Sequence, residues 1–174
     1  MRTLVLGGLR SGKSRWAESA AAQSAGADGV VRYVATGSSG DQDTSWSARV
    51  AAHRSRRPAH WLTVETADLA TQLRDDCGAP TLIDDVGGWL TAAMQNDFVG
   101  HNIDELLSAI TGFGSPLVIV SPEVGLSVVP ATESGRRFAD ELGTLNQRLA
   151  EICDRVVLVV AGQPLQVKGA DGQR

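Results

Sequence analysis

The chain has 174 residues, 43% of them apolar and 21% charged, with a formal net charge of −4. A chain of that size and make-up buries an ordinary core, so it is neither disordered nor a small disulfide scaffold, and it reads as one domain over residues 1–174 with 169–174 frayed. No run approaches the 18 apolar residues of a membrane-spanning helix, and the acidic balance disfavours a general nucleic-acid surface.

The opening apolar run breaks off at Gly7-Gly8, which argues against a signal peptide. Cys77 and Cys153 are far apart and lack metal-ligand spacing, so they read as reduced thiols and the cytoplasm is the expected compartment. In chain order, β-prone runs fall at Thr3–Leu6, Val30–Val34, Trp61–Val64, Thr81–Ile83, Leu117–Val120 and Val156–Val160. Most are unalternated, as strands buried on both faces of a parallel sheet are. Helical stretches lie between them, at Ser14–Ser24, Ala67–Asp76, Asp104–Thr111 and Glu133–Cys153. This alternation predicts an α/β fold with a mostly parallel sheet. At the end, Ala161-Gly162-Gln163-Pro164 separates Val156–Val160 from Leu165–Val167, which predicts a hairpin adding an antiparallel edge strand. The Gly/Ser-rich stretch Gly37–Ser47 reads as a mobile loop.

Chemistry enters with Gly7-Gly8-Leu9-Arg10-Ser11-Gly12-Lys13-Ser14, which fits G-x-x-x-x-G-K-[ST] after a strand and before a helix. Glycines let backbone N–H groups close around a phosphate, a lysine reaches the outer phosphates, and a serine hydroxyl ligates Mg²⁺. The fold expected is therefore a P-loop NTPase of the RecA-like kind, three-layered, binding a nucleoside triphosphate. Such proteins carry an acid at a neighbouring strand end to hold the metal. Asp84, directly after Thr81–Ile83, is the first choice. Asp85 is weighed both as a further acid and as a helix N-cap, and Glu123 follows Leu117–Ser121 in the same topological place. Gly7–Ser14, Thr36, Asp84 and Glu123 are expected along one edge of the sheet, beyond the carboxyl ends of the strands.

Residues 49 to 61 read RVAAHRSRRPAHW, with Arg49, Arg54, Arg56 and Arg57 and no acid from Ser45 to Val64. This is a local anion attractor. Neighbouring guanidiniums disfavour the imidazolium of His53, leaving a neutral imidazole that can attack phosphorus. A surface or capping role for His53 is the competing reading. His60 reads as packing, and His101 is assigned nothing.

The ordered set of residues resembles the bifunctional adenosylcobinamide kinase/adenosylcobinamide-phosphate guanylyltransferase family of cobalamin biosynthesis. The likeness runs from residue 2 to 168. It is carried by LVLGGLRSGKSRWAE, Tyr33-Val34-Ala35-Thr36, Asp43, Trp46, Arg49-Val50-Ala51-Ala52-His53-Arg54, Arg57-Pro58, Thr63-Val64-Glu65, Glu123-Val124-Gly125, Val129-Pro130, Arg137-Phe138 and Leu145-Asn146-Gln147-Arg148. The resemblance implies phosphorylation of adenosylcobinamide by ATP or GTP, then transfer of GMP from GTP through a GMP-histidine, for which His53 is the matching position. It implies nucleotide contacts at Gly7, Gly8, Leu9, Arg10, Ser11, Gly12, Lys13, Ser14, Arg15, Thr36, Gly37, Ser38, Arg54, Ser55, Arg56, Arg57, Glu65 and Asp84. It implies Mg²⁺ on Ser14 and Asp84, a corrinoid substrate, and a homo-oligomer, commonly a trimer. The sequence departs from the family pattern in two places. The common DC-L-T-x-W-L-T-N becomes Asp84-Asp85-Val86-Gly87-Gly88-Trp89-Leu90-Thr91-Ala92, and N-E-V-G becomes Pro122-Glu123-Val124-Gly125. Hydrogen-bonding Thr and Asn side chains are thereby lost. Two other readings compete: a P-loop kinase for another small metabolite, and a non-enzymatic GTP-binding regulatory module. The N/T-K-x-D base motif of a GTPase switch is missing, because no lysine lies between Lys13 and Lys168.

Overall fold

The computed structural model describes residues 1–27, 29–36, 57–75, 78–95 and 99–169. Seven strands, β1 (Arg2–Gly7), β2 (Arg32–Ala35), β3 (Leu62–Glu65), β4 (Thr81–Asp84), β5 (Leu117–Pro122), β6 (Arg155–Val160) and β7 (Gln163–Lys168), form one sheet in the order β3-β2-β4-β5-β1-β6-β7. Every pairing is parallel except β6 with β7. The helices are α1 (Lys13–Ala25), α2 (Leu69–Arg74), α3 (Val86–Ala93), α4 (Val99–Gly112) and α5 (Glu133–Ile152).

The unalternated apolar runs are explained by burial on both faces. Leu4, Val34, Ile83, Leu117 and Ile119 point into a core with α2, α3, α4 and α5. Their neighbours Val5, Tyr33, Leu82, Val118 and Val120 point into a second core under α1. Three layers result, as a parallel sheet requires. β3 is an edge strand and stays largely exposed, while Trp61 just before it is buried. Cys153 is buried and unpaired, and burial pushes its thiol pKa up to about 11. Cys77 lies outside the described residues.

Two differences from the sequence reading have local causes. Helix α3 went unforeseen because VGGW combines two poor helix formers with no polar face. It forms because Asp85 caps it and its apolar side chains are buried on all sides. The C-terminal turn is also tighter than expected. Ala161 (φ 49) and Gly162 (φ 77) are both left-handed, as in a type I′ turn, so β7 starts at Gln163 and takes Pro164 into an edge strand. Among the described residues no helix is long and apolar enough to cross a membrane.

Candidate active site at the carboxyl edge of the sheet

β1 ends at Gly7, and the chain folds over itself before α1 begins. Ser11 N–H donates to Gly8 O at 3.2 Å, and Trp16 N–H donates to Gly12 O at 3.0 Å. Gly12 has φ +93, so a side chain there is strained. A Cβ on Gly7 would stand 2.8 Å from the Val159 carbonyl, so that position admits no side chain either. The turn of the β6–β7 hairpin braces the loop: Gly162 N–H donates to Ser11 O at 2.8 Å. Gly12 contributes no side-chain cap to α1, which leaves a helix start suited to an anion. Lys13 lies across the loop, its Nζ donating to Gly8 O at 3.4 Å. Leu9 and Arg10 form an exposed tip, and Arg15 is exposed in the first turn of α1.

The acid pole faces this loop. β4 lies two strands from β1, with β5 between them. Ser14 Oγ nevertheless reaches it, donating to Asp84 Oδ1 at 3.3 Å. Tyr33 Oη, from β2, donates to the other oxygen, Asp84 Oδ2. Burial, and after it the Asp84 charge, raise the Tyr33 pKa, so the phenol is a donor at any physiological pH. Thr36 pins the backbone behind, its Oγ1 donating to Asp84 O at 3.2 Å and to Asp85 O at 2.5 Å. Asp85, at φ 71, turns its Oδ1 back onto the start of α3, where it accepts from Gly87 N–H at 3.0 Å and Gly88 N–H at 3.3 Å. Its carboxyl is held above the ordinary range by burial first and by Asp84 second.

Glu123 sits beside the loop because its N–H donates to Gly7 O at 3.0 Å, while its Oε1 accepts from Gly125 N–H at 2.6 Å. Glu65 ends the outermost strand, four strand spacings of about 4.8 Å from β1. It therefore shares the edge without approaching the loop. The guanidinium of Arg57 lies over the Tyr33 ring, 3.4 Å from its centroid. Gly37, Ser38, His53, Arg54, Ser55 and Arg56, and the Gly37–Ser47 loop, lie outside the described residues.

The structure thus brings Gly7–Ser14, Thr36, Asp84, Asp85 and Glu123 to one edge. It adds two residues that the sequence reading had given no site role. Tyr33 carried a signal, as the chain's single tyrosine in an aliphatic strand. Gly162 carried only that of a hairpin turn. The two family departures also prove to be neighbours, since a Cβ on Gly87 would stand 2.8 Å from Pro122 Cγ.

Ser14 and Asp84 offer hard oxygen donors, which suit Mg²⁺ completed by water and phosphate oxygens. No group of three His, Cys, Asp or Glu side chains that could hold a metal ion exists among the described residues. One hydroxyl with one carboxylate fits an ion that shares its shell with a substrate, not one held in an all-protein cage.

Comparisons with known proteins identify the family. A family model described as cobinamide kinase / cobinamide phosphate guanyltransferase matches residues 3–167. The bifunctional adenosylcobalamin biosynthesis protein CobP of Pseudomonas aeruginosa is 43% identical, over 97% of this chain and 98% of its own length. Two proteins named CobU, from Salmonella typhimurium and Escherichia coli, are 36% and 34% identical over 97% of this chain and all of theirs. Among solved structures, the assembled ATPase EscN of an enteropathogenic E. coli type III secretion system is similar with a TM-score of 0.53 at 15% identity. It covers 92% of this chain, and the chain spans 43% of it, a likeness of fold alone. The chain belongs to the cobinamide kinase / cobinamide phosphate guanyltransferase family.

Proposed function

We propose that this chain phosphorylates the hydroxyl of the aminopropanol arm of adenosylcobinamide and then joins GMP from GTP to that phosphate, giving adenosylcobinamide-GDP. The observation that carries the reading is the Ser14–Asp84 pair beneath the glycine loop, in a chain matched over nearly its whole length by this family. In the first step the acceptor hydroxyl oxygen attacks the γ-phosphorus of ATP or GTP, its proton passes to solvent, and the nucleoside diphosphate leaves. The second step is a double displacement. An imidazole nitrogen of His53 attacks the α-phosphorus of GTP, and pyrophosphate leaves. A phosphate oxygen of the corrinoid then attacks the same phosphorus and breaks the P–N bond.

The loop N–H groups and Lys13 steady the departing phosphates, and the guanidiniums of residues 54, 56 and 57 draw the anion in. Ser14 and Asp84 would hold Mg²⁺, which when bound neutralises phosphate charge. Splitting one difficult exchange into two displacements gives each a positioned nucleophile. The same reading takes the protein as a cytoplasmic homo-oligomer whose partner is the corrinoid, with no role for nucleic acid.

The test uses GTP labelled at the α-phosphate, with Mg²⁺, followed by denaturation. An acid-labile, alkali-stable label on the wild type and none on His53→Ala is the expected result. A wild type that binds GTP but stays unlabelled would overturn the histidine route and leave a metabolite kinase.

A further inference from the structure

Tyr33 is fully buried, and in a β-strand core a phenylalanine would fill the same space. What the hydroxyl adds is one bond, to Asp84 Oδ2. The opposite oxygen, Oδ1, accepts from Ser14 Oγ at 3.3 Å. A carboxylate is planar, so a donor that holds one oxygen also sets where the other points. On its far side the phenol ring carries the guanidinium of Arg57, 3.4 Å from the centroid. A cation stacked at that distance restrains the ring. Arg57, Tyr33, Asp84 and Ser14 thus form one continuous chain of contacts, drawn from four separate parts of the sequence. Arg57 also lies four residues after His53, so the end of the histidine segment is tied to the acid pole.

We infer that Tyr33 is a positioning residue for the divalent-cation site: it fixes the Asp84 carboxylate with Oδ1 turned toward Ser14, and Arg57 clamps it there. The inference rests on the nucleotide-transfer reading above. Outer partners that orient a ligating carboxylate characteristically affect metal affinity while touching neither metal nor substrate.

The experiment titrates Mn²⁺, as a spectroscopic stand-in for Mg²⁺, into the full chain with a non-hydrolysable GTP analogue, and reads free Mn²⁺ by electron paramagnetic resonance. For Tyr33→Phe the Mn²⁺ dissociation constant is expected to rise about tenfold. Binding of the analogue in EDTA should stay within about twofold of wild type, since the metal-independent contacts are untouched. In an Asp84→Asn background the tyrosine substitution should have no further effect. Arg57→Met keeps the buried phenol and should raise the constant about threefold beyond any change in its analogue binding in EDTA, which serves if Tyr33→Phe does not fold. Unchanged Mn²⁺ binding in Tyr33→Phe, or in Arg57→Met where that variant stands in, overturns the proposal. So does a loss that persists undiminished in the Asp84→Asn background. If the wild type binds no analogue at all, the nucleotide reading itself fails, a result distinct from either.

Discussion

The glycine loop and the acid pole face each other across one crevice, yet they are held by different means. Backbone holds the loop: Gly8, Ser11, Gly12 and Gly162 exchange main-chain bonds, and Gly7 and Gly12 admit no side chain without strain. Side chains hold the pole: Tyr33, Ser14 and Thr36 converge on Asp84, while Asp85 closes the start of α3. A backbone cradle can be moved from protein to protein as a motif. A side-chain cradle must be assembled anew from whichever strands are adjacent, so its parts tolerate exchange in pairs. Gly87 and Pro122, which meet across two elements, are the pair on which this can be tested.

The comparison can be broken hardest at Lys13. On the proposed function its replacement by alanine removes the lysine of the glycine loop, and phosphoryl transfer should fall about a hundredfold or more. The melting temperature should move little, since the one hydrogen bond of Nζ among the described residues is a long one, to Gly8 O. A steady-state assay beside a thermal melt separates the two. Next in size is Gly87→Thr, whose Cβ would meet Pro122. Overpacking of this kind costs about 1–3 kcal/mol, and Gly87→Thr with Pro122→Asn should recover most of it. Urea midpoints of the two single variants and the double close the cycle. A double variant no better than Gly87→Thr would show that the departures are unrelated.

Gly12→Ala tests the loop as backbone. A φ of +93 at a residue with a side chain costs about 1–2 kcal/mol, and the new Cβ would press on Gly162 Cα at 3.1 Å. Nucleotide affinity and stability should fall together, as a dye-binding melt with and without GTP would show. The smallest effects belong to Asp85. Asp85→Ala removes the cap of α3 and should cost about 1 kcal/mol, whereas Asp85→Asn keeps both the cap and the tolerance for φ 71 and should stay within about 0.5 kcal/mol.

Here pH sharpens the contrast. The native carboxyl of Asp85 is raised above its unfolded value, so its favourable contribution is complete below the unfolded carboxylate pKa of about 3.9 and is lost as pH rises through the folded value. The stability of Asp85→Asn relative to wild type should therefore improve from pH 4 to pH 8. Denaturation at both pH values checks it, and a difference that moves the other way would mean that the ionised cap is the favoured form.

Much of this molecule was legible before any coordinates. Strands buried on both faces announce themselves as unbroken apolar runs, and the glycine loop announces itself by spacing, because backbone geometry forces particular residues at particular steps. The position of Asp84 followed from the same logic, since a strand end in a parallel sheet faces the ligand crevice. Asp85 as an N-cap was also within reach, although its helix was not, because VGGW has no helical signature apart from the burial that stabilises it.

What the sequence by itself determined is thus the period and the punctuation: layered α/β order, a phosphate loop, the acids at strand ends, and a family pattern that only its full ordered set could carry. What only the tertiary structure decided is adjacency. Tyr33, Asp84, Ser14 and Arg57 are separated by up to 70 positions, and Gly87 meets Pro122 across two elements. The hairpin turn reaches back to Ser11 from the far end of the chain. Such contacts have no local signature. Strand order, which depends on how crossovers and cores satisfy one another globally, sets which side chains become neighbours.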